Sequence, residues 1–339
     1  MASYDVVIVG GGIVGAACAD RLAGEGHSVC LLEANELLRE ASWAAPGVLH
    51  PIHPLSYPET LHPLLRVAPA EFTPLAADLA DRTGIDVGLS TPGVVVTGEQ
   101  VDGLATWCGS EIPHENVDAE GFLGCPGEIG RALFLPKVQT LRPYRLGRAL
   151  LEGARRRGAE LRPHTRVLAV EPGRVRVESG EIEAGHVVLA AGAWSGGLSP
   201  TTPTEPVIGQ ILLYRGTFPH MTIFSDRTYV VPRPDGLLLF GSTVEHRGFD
   251  GRPTEEAVQH LQSRAESLLG VRSTDLLAAW AGLRPGTPSG LPYIGSAPSN
   301  PGLIYATGHY RIGVTMAPLT ARIVADCVAE RRPSFTVFG

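Results

Sequence analysis

The distribution of apolar residues predicts short buried strands and helices at both ends of the chain, with a series of alternating strands between them. Val and Ile dominate a first run, Tyr4 to Val9, and a second run covers Ser28 to Leu32 after a helix-compatible stretch from Ile13 to Ala23. A short, continuous apolar run is typical of a parallel strand that is covered on both faces. The amino-terminal segment is therefore predicted to form a β–α–β unit.

The same patterns predict most of the remaining elements. Helical spacing of apolar residues predicts helices over residues 71–83, 143–158, 254–269 and 313–330. Strands are predicted at residues 94–97, 167–170, 174–177, 208–215, 228–232, 237–243 and 303–306, and a buried strand from residue 186 breaks on Gly192. Residues 98–141, with little periodicity, are interpreted as short strands and loops, and residues 280–295 as glycine-rich loops.

Three glycines follow the first predicted strand with the spacing of a nucleotide-binding turn. Gly10 allows a tight turn, Gly12 lets backbone N–H groups approach a pyrophosphate, and Gly15 lets the helix pack close to the strand. The helix amino terminus favours phosphate, and Glu33 at the tip of the second strand can accept hydrogen bonds from ribose hydroxyls. An acid at that position disfavours a 2′-phosphate, so the motif predicts the ADP portion of FAD or NAD. A plain β–α–β turn without ligand is the alternative.

Two further segments are predicted to reach the same site. The strand that begins at residue 186 ends on Ala191 and Gly192, and its carboxyl end is expected beside the first strand. After Glu33, Arg39 and Ser42 are polar, and residues 44–47 are small enough to approach a flat group closely. This second segment is interpreted as a loop on the cofactor, with a simple connector as the alternative.

Composition limits the classes of partner. The net charge is 28 − 35 = −7 without a long basic run, which argues against nucleic acid and anionic membranes. The length allows two domains, and the five cysteines, without a C-x-x-C pair, favour reduced thiols in a cytoplasmic protein. The apolar amino terminus lacks a basic region and is better explained as strand and helix than as a signal peptide. His50, His53 and His62 lie among prolines without an acidic cluster, so no metal site is predicted.

Six segments together resemble the glycine oxidase and D-amino-acid oxidase family of FAD enzymes, which includes monomeric sarcosine oxidase. They are residues 10–33, ASWAAPG at 41–47, VLAAGAWS at 188–195, WAGLRPG at 280–286, PYIG at 292–295 and GHYRIGVT at 308–315. Glycine oxidases of the thiamine-biosynthesis type look most similar, through GLRPGTPSGLPYIG and GHYRIG.

The resemblance implies an α/β fold (α+β overall) in which a Rossmann-like FAD-binding domain is interleaved with an antiparallel-sheet substrate-binding domain. The first domain is expected at residues 1–88, 142–205 and 282–339. The second is expected at residues 89–141 and 206–281.

The resemblance also implies roles for individual residues. Arg284 would clamp a substrate carboxylate and Tyr229 would hydrogen-bond it, while His50 lies in a loop where relatives usually carry smaller residues and is assigned to the substrate side. A surface arginine and a core tyrosine are the alternatives for the first two. The residues assigned to the cofactor are Gly10, Gly12, Ile13, Val14, Gly15, Glu33, Ala34, Arg39, Ser42, Ala44, Ala45, Gly47, Val167, Ala191, Gly192, Trp194, Gly308, His309, Tyr310, Arg311, Ile312, Gly313, Val314 and Thr315.

The implied reaction is oxidation of glycine, sarcosine or a small D-amino acid by hydride transfer to flavin, with imine hydrolysis and formation of hydrogen peroxide from O2. FAD is expected to be noncovalent, since the attachment cysteine of the sarcosine oxidases is missing and Met316 follows the loop. The only lysine, Lys137, falls in the irregular module and is not available to activate oxygen. A dehydrogenase that uses a quinone or another acceptor, and a flavin-binding protein without amine chemistry, are the alternatives. The expected partners are the amino acid and O2, and a homo-oligomer is possible.

Overall fold

The computed structural model describes residues 3–49, 54–119, 131–216, 219–225, 228–269, 272–297 and 300–331. Its strands, in chain order, are β1 (Ser3–Val9), β2 (Val29–Leu32), β3 (Val94–Thr97), β4 (Glu115–Asp118), β5 (Arg131–Leu135), β6 (Glu160–Arg162), β7 (Val167–Glu171), β8 (Arg174–Val177), β9 (Gly180–Leu189), β10 (Glu205–Arg215), β11 (Thr222–Phe224), β12 (Tyr229–Arg233), β13 (Leu237–Gly241), β14 (Leu276–Gly286), β15 (Tyr293–Ala297) and β16 (Asn300–Thr307). Its helices are α1 (Ile13–Gly24), α2 (Glu40–Ala44), α3 (His62–Val67), α4 (Phe72–Thr83), α5 (Val101–Cys108), α6 (Pro143–Arg156), α7 (Ser195–Leu198), α8 (Glu255–Leu269) and α9 (Gly313–Val328). Within these ranges, no helix is both long and apolar enough to cross a membrane.

The first sheet has the order β15-β16-β9-β1-β2-β6, and β7 and β8 extend it from β9. Strands β6, β2, β1, β9 and β16 run parallel, and β15 is antiparallel at the edge. Successive residues of β1 face opposite sides: Val6 and Ile8 pack in the core under α1 and α9, and Val7 and Val9 pack in a second core under β7 and β8. The prediction of a strand covered on both faces is confirmed.

The second sheet has the order β14-β10-β13-β12-β11-β3-β5-β4 and is antiparallel except for the β11–β3 pair. Helix α8 covers one face, where Tyr214, Phe240 and Leu261 form a core. The two sheets alternate along the chain, so the predicted interleaved α/β architecture is confirmed. The exact domain limits stay a prediction. The limit expected between residues 281 and 282 falls inside β14, which pairs with β10 across that point.

Several elements differ from the sequence prediction. Strand β6 was not predicted, and residues 293–295, which were interpreted as loop, belong to β15. Residues 280–286 were predicted to form a loop, but they belong to β14. Each glycine and proline of this segment is paired with a residue of β10, so the neighbouring strand holds the segment extended. Residues 98–141 contain the helix α5, whose buried side includes Val101 and Leu104. Strand β11, three residues long, lies between the predicted strands of the middle region and was not predicted.

Candidate functional site

A cavity of about 380 Å³ lies where the carboxyl ends of β1, β2, β9 and β16 meet the amino terminus of α1. Seventeen of the residues assigned to the cofactor from the sequence line it: Gly10, Gly12, Ile13, Val14, Glu33, Ala34, Ser42, Ala45, Val167, Ala191, Gly192, Trp194, His309, Tyr310, Arg311, Gly313 and Val314. They come from both ends and the middle of the chain. Parallel strands bring these segments together because their carboxyl ends share one edge of the sheet.

The glycine turn is required by close packing. Gly10 has φ +112°, and a methyl carbon placed on it would lie 2.4 Å from the carbonyl oxygen of Ala190. A methyl carbon on Gly15 would lie 2.0 Å from the carbonyl oxygen of Gly10. The predicted close approach of helix and strand at Gly15 is therefore confirmed, although Gly15 itself does not line the cavity.

The amino terminus of α1 is suited to an anion. The helix begins after Gly12 without a side-chain cap and has no acidic residue in its first turn. The N–H group of Ile13 donates to Ser42 Oγ over 2.8 Å, which fixes the α2 segment against this end of the helix. Uncapped N–H groups and the helix dipole together attract phosphate oxygens.

Glu33 closes the far end of the first cavity. One carboxylate oxygen accepts the N–H group of Gly11 over 2.8 Å, and the other accepts the N–H group of Asn35 over 2.9 Å. These bonds hold the carboxylate at the tip of β2. A carboxylate has about four acceptor positions, so capacity remains for hydroxyl donors of a ligand.

A second cavity of about 370 Å³ adjoins the first, and Ala41, Ala45, Tyr310 and Arg311 line both. Its other walls come from β10, β12 and β14, from the segment after β13 and from residues near Tyr57. Ala44 and Ile312, which were assigned to the cofactor, line this second cavity and not the first. The described residues of its wall include two arginines, Arg284 and Arg311, and no carboxylate.

Arg284 projects from β14 into the second cavity, and its guanidinium is held by groups of the neighbouring strands. Nη1 donates to the carbonyl oxygens of Ile208 and Thr243, each over 3.2 Å. Nη2 donates to Ser242 Oγ over 2.7 Å. These bonds use three of the five guanidinium N–H groups, and the N–H group of Nε and one of Nη2 remain for a ligand.

The electrostatics at Arg284 favour an anionic ligand. Burial is the main cause that lowers the pKa of Arg284, and the nearby cation of Arg311 lowers it further. Among the described residues, no carboxylate forms an ion pair with Arg284. Because a buried cation without a partner is costly, a carboxylate that enters with the ligand would be strongly attracted.

Tyr229 lies at the start of β12 and lines the same cavity. Its ring packs on Phe224 with centroids 5.2 Å apart, and its hydroxyl oxygen lies 3.0 Å from the point that a methyl carbon on Gly241 would occupy. Burial raises the pKa of Tyr229, so its hydroxyl stays protonated and can donate. The two residues predicted to bind a substrate carboxylate therefore face one space.

The remaining predicted residues lie elsewhere. Gly15, Arg39, Gly47, Gly308 and Thr315 line neither cavity. Arg39 stacks on Trp43, and a methyl carbon on Gly47 would lie 2.2 Å from the carbonyl oxygen of Leu141. His50 lies outside the described residues.

Most residues that line the second cavity were not predicted from the sequence, among them Tyr57, Gly209 and Ser242. A methyl carbon on Gly209 would lie 2.0 Å from Nη2 of Arg284, so this glycine makes room for the guanidinium. A glycine inside a predicted strand often marks a close approach, and that signal was present in the segment VIGQI. No comparable signal marked the other two.

The described residues contain no group of three or more His, Cys, Asp or Glu side chains that could bind a metal ion. His62 Nε2 contacts the carbonyl oxygen of Pro54 over 3.0 Å. Four cysteines, Cys18, Cys30, Cys108 and Cys327, are buried and free, and Cys125 and His53 lie outside the described residues.

Comparisons with known proteins agree with this geometry. The sequence model of the family described as "FAD dependent oxidoreductase" matches residues 5–327. The glycine oxidase of Pseudomonas aeruginosa is 37% identical, over 98% of this chain and 96% of the relative. The glycine oxidase of Pseudomonas putida is 34% identical, over 98% and 96%. The crystal structure of glycine oxidase from Geobacillus kaustophilus superposes with a TM-score of 0.92 at 33% identity, over 99% of this chain and 97% of that one.

The family match extends over nearly the whole chain and includes every segment that lines the two cavities. A glycine turn, an uncapped helix terminus and an acid at the tip of the second strand are the parts that hold the ADP portion of FAD. The chain belongs to the family of FAD-dependent oxidoreductases that contains the glycine oxidases.

Proposed function

We propose that this protein oxidises glycine, sarcosine or a small D-amino acid to a 2-oxo acid and ammonia or an amine, with FAD as the first electron acceptor and O2 as the second. The observation that carries the proposal is Arg284, a partly buried arginine with unused N–H groups in a cavity that adjoins the cofactor cavity. The similarity to the glycine oxidases of Pseudomonas aeruginosa and Pseudomonas putida supports the same reaction class.

The residues of the first cavity fit FAD. The N–H groups at the start of α1 would bind the pyrophosphate, and Glu33 would accept hydrogen bonds from the ribose. Tyr310 and Arg311 line both cavities, so the flavin ring would lie where the cavities join. When bound, FAD supplies the acceptor for a hydride from the substrate.

The residues of the second cavity bind and orient the substrate. Arg284 would bind the substrate carboxylate through its two unused N–H groups, and the hydroxyl of Tyr229 would donate a hydrogen bond to the same carboxylate. The cations of Arg284 and Arg311 favour the neutral over the protonated amine, and the neutral form can lose a hydride. The described wall has no carboxylate or imidazole, so these residues would act by positioning and electrostatics.

The test is anaerobic reduction of the purified flavoprotein by glycine, sarcosine and small D-amino acids, each compared with the matching amine that lacks the carboxylate. We expect bleaching of the oxidised flavin absorbance by at least one amino acid and slow or no bleaching by its amine. Equal rates with both compounds would contradict a carboxylate clamp. No reduction by any amino acid would contradict the proposed reaction.

Two further measurements refine the proposal. Peroxide release under air identifies an oxidase, whereas reduction without rapid reoxidation by O2 identifies a dehydrogenase with another acceptor. Acid precipitation should release FAD into the supernatant, since we propose a noncovalent cofactor. Flavin that remains in the pellet would contradict this.

A cytoplasmic location is also part of the proposal. The four described cysteines are buried and unpaired, and burial raises the pKa of Cys18 to about 12 and of Cys30 to about 11. Such thiols behave as packing residues of a protein from a reducing compartment. Thiol titration of the protein, denatured without a reducing agent, should find every cysteine as a free thiol. A disulfide would contradict this assignment.

A further inference from the structure

We propose that Glu245 is a positioning residue, which fixes a backbone bulge at residues 242–244 in the form that holds the guanidinium of Arg284 in the second cavity. The inference rests on the proposed function, because it assigns a residue that supports the same substrate site. Glu245 lines neither cavity, so its effect on a ligand has to pass through Arg284.

The bulge follows from the pairing of β13 with β10. Gly241, the last residue of β13, lies opposite Ile211, and Glu245 lies opposite Ile208 in an isolated bridge. Between these two pairs β10 advances by three residues and the facing segment advances by four, so the facing segment carries one extra residue. A β-bulge of this kind re-aims side chains at the edge of a site. The bulge therefore decides which of its groups face Arg284.

Arg284 takes two of its three hydrogen-bond acceptors from this bulge. Nη2 donates to Ser242 Oγ over 2.7 Å, and Nη1 donates to the carbonyl oxygen of Thr243 over 3.2 Å. The third acceptor is the carbonyl oxygen of Ile208, which also accepts the N–H group of Glu245 over 3.1 Å. A shift of the bulge against β10 would therefore change the contacts of both terminal nitrogens of the guanidinium.

The side chain of Glu245 holds the bulge through one carboxylate oxygen. Oε1 accepts a hydrogen bond from the hydroxyl of Thr243 and another from Nε2 of Gln210, the latter over 2.8 Å. The hydroxyl of Thr243 also accepts the N–H group of Gln210 over 3.0 Å. Thr243 thus donates its single hydroxyl proton to the carboxylate and accepts from β10, so the bulge is tied to that strand from both sides.

Gln210 is fixed in this network by its own amide. It is 1% exposed, and its Oε1 accepts the N–H group of Thr254 over 2.9 Å. Its Nε2 donates to Thr254 Oγ1 over 3.1 Å as well as to Glu245. A flipped amide would set donor against donor and oxygen against carboxylate. Loss of the carboxylate would leave the amide of Gln210 and the hydroxyl of Thr243 each without an acceptor, and movement of the bulge is the expected response.

Glu245 acts as a hydrogen-bond acceptor and not as a counterion of Arg284. Its second oxygen accepts Nε of Arg247 over 2.8 Å, and among the described residues it forms no ion pair with Arg284. This predicts a difference between two substitutions. Glu245→Gln keeps an oxygen for Gln210 and Thr243 and loses the bond with Arg247, whereas Glu245→Ala loses all of these bonds.

The experiment measures the binding of glycolate and of its uncharged amide, glycolamide, to the FAD-loaded protein through the flavin absorbance spectrum. Glycolate carries the carboxylate of glycine without its amine, so binding needs no turnover. We expect Glu245→Ala and Thr243→Val each to raise the Kd for glycolate about tenfold, the effect of disturbing hydrogen bonds to a charged group. The Kd for glycolamide should change by less than about twofold, because a neutral ligand gains little from a guanidinium. Glu245→Gln should bind glycolate nearly as wild type does.

The double variant tests whether the two residues act through the same bulge. Glu245→Ala combined with Thr243→Val should bind glycolate within about twofold of either single variant, since each substitution already releases the bulge. The matched control is Glu152→Ala, which removes a carboxylate that pairs with Arg155 and Arg156 outside both cavities and should leave both Kd values unchanged. Thr243→Val carries the test by itself if Glu245→Ala yields no FAD-loaded protein.

Three results would overturn the inference. They are wild-type affinity for glycolate in Glu245→Ala or Thr243→Val, equal weakening of glycolate and glycolamide, and a loss in Glu245→Gln as large as that in Glu245→Ala. Failure of the proposed reaction is a separate result: the variants would show the expected binding, and no amino acid would reduce the wild-type flavin. Wild type that binds glycolate no better than glycolamide would overturn the carboxylate site at Arg284 and the inference with it.

Discussion

The two cavities recognise their ligands with different parts of the protein. The first uses mainly backbone: the turn at Gly10, the N–H groups at the start of α1, and one acid, Glu33. The second uses side chains, and among the described residues of its wall Arg284 is the only cation from the second sheet. A ligand held by many backbone groups should lose a smaller share of its affinity when one side chain is removed than a ligand held mainly by one guanidinium. Substitutions in the two cavities should therefore differ in size and in the ligand that they affect.

Arg284→Ala should have the largest effect. Removal of one partner of a desolvated ion pair is expected to cost about 3–5 kcal/mol in substrate binding. The loss should appear mainly in KM or substrate Kd, because the carboxylate keeps its charge in the transition state. Steady-state and anaerobic binding measurements check this.

The control for Arg284→Ala is the FAD content, which should stay near wild type because the arginine belongs to the second cavity. Arg284→Lys should recover part of the loss, since an ammonium cannot reproduce the fork. Normal affinity for the amino acid in Arg284→Ala would contradict the assignment of the second cavity to substrate.

Glu33→Ala should act on the other ligand. Its loss removes one or two charge-assisted hydrogen bonds to the ribose and should weaken FAD retention by about 2–3 kcal/mol, measured by flavin titration of the apoprotein. Once the protein is saturated with FAD, the KM for the amino acid should return to the wild-type value. Glu36→Ala is the matched control, because Glu36 is exposed and contacts His164 over 3.1 Å. Unchanged FAD affinity in Glu33→Ala would show that the acid does not touch the ribose.

Gly209→Ala tests whether the position of Arg284 matters as well as its charge. The added methyl carbon would lie 2.0 Å from Nη2 and must displace the guanidinium. Since displacement breaks hydrogen bonds to a charged group, we expect substrate binding to weaken by about 1–2 kcal/mol. Gly302→Ala, where the nearest atom is 3.6 Å away, is the control and should bind substrate as wild type does. Equal substrate affinities of the two variants would mean that substrate binding tolerates displacement of the Arg284 guanidinium.

The smallest effect is expected on the stability of the protein. It arises when pH changes the protonation of His309, which lies in the wall of the first cavity. Burial lowers the pKa of His309 to about 4, and its Nε2 is 2.9 Å from Thr320 Oγ1. The unfolded chain binds the proton at higher pH than the folded protein does, so stability falls as pH decreases from about 6.5 toward 4. Between pH 7 and pH 5.5, His309 should account for a loss of about 1 kcal/mol in the free energy of unfolding.

Urea unfolding at pH 7 and pH 5.5 measures this contribution. The free energy of unfolding of His309→Gln should depend less on pH, because glutamine cannot take up a proton. His260→Gln, in helix α8, is the control and should keep the wild-type dependence. A slope in His309→Gln that matches wild type would assign the pH dependence to other groups.

The sequence alone determined the framework of the first cavity. Gly10, Gly12, Gly15 and Glu33 lie within one β–α–β unit, and the geometry of that unit follows from local spacing. The strand before Ala191 could be added because it ends in small residues beside the same sheet edge, where parallel strands place their carboxyl ends together. The turn at residues 308–313 was assigned through the family resemblance.

Only the tertiary structure decided the second cavity. Strands β10, β12, β13 and β14 meet there through pairings between residues far apart in the chain, and no local pattern specifies their register. Register explains why Arg284 lies in a strand although its segment is rich in glycine and proline, and why Gly209 leaves space for it. It also brings Ser242 Oγ to 2.7 Å from Nη2 of Arg284, because a side chain's neighbours across a sheet depend on pairing and not on sequence distance.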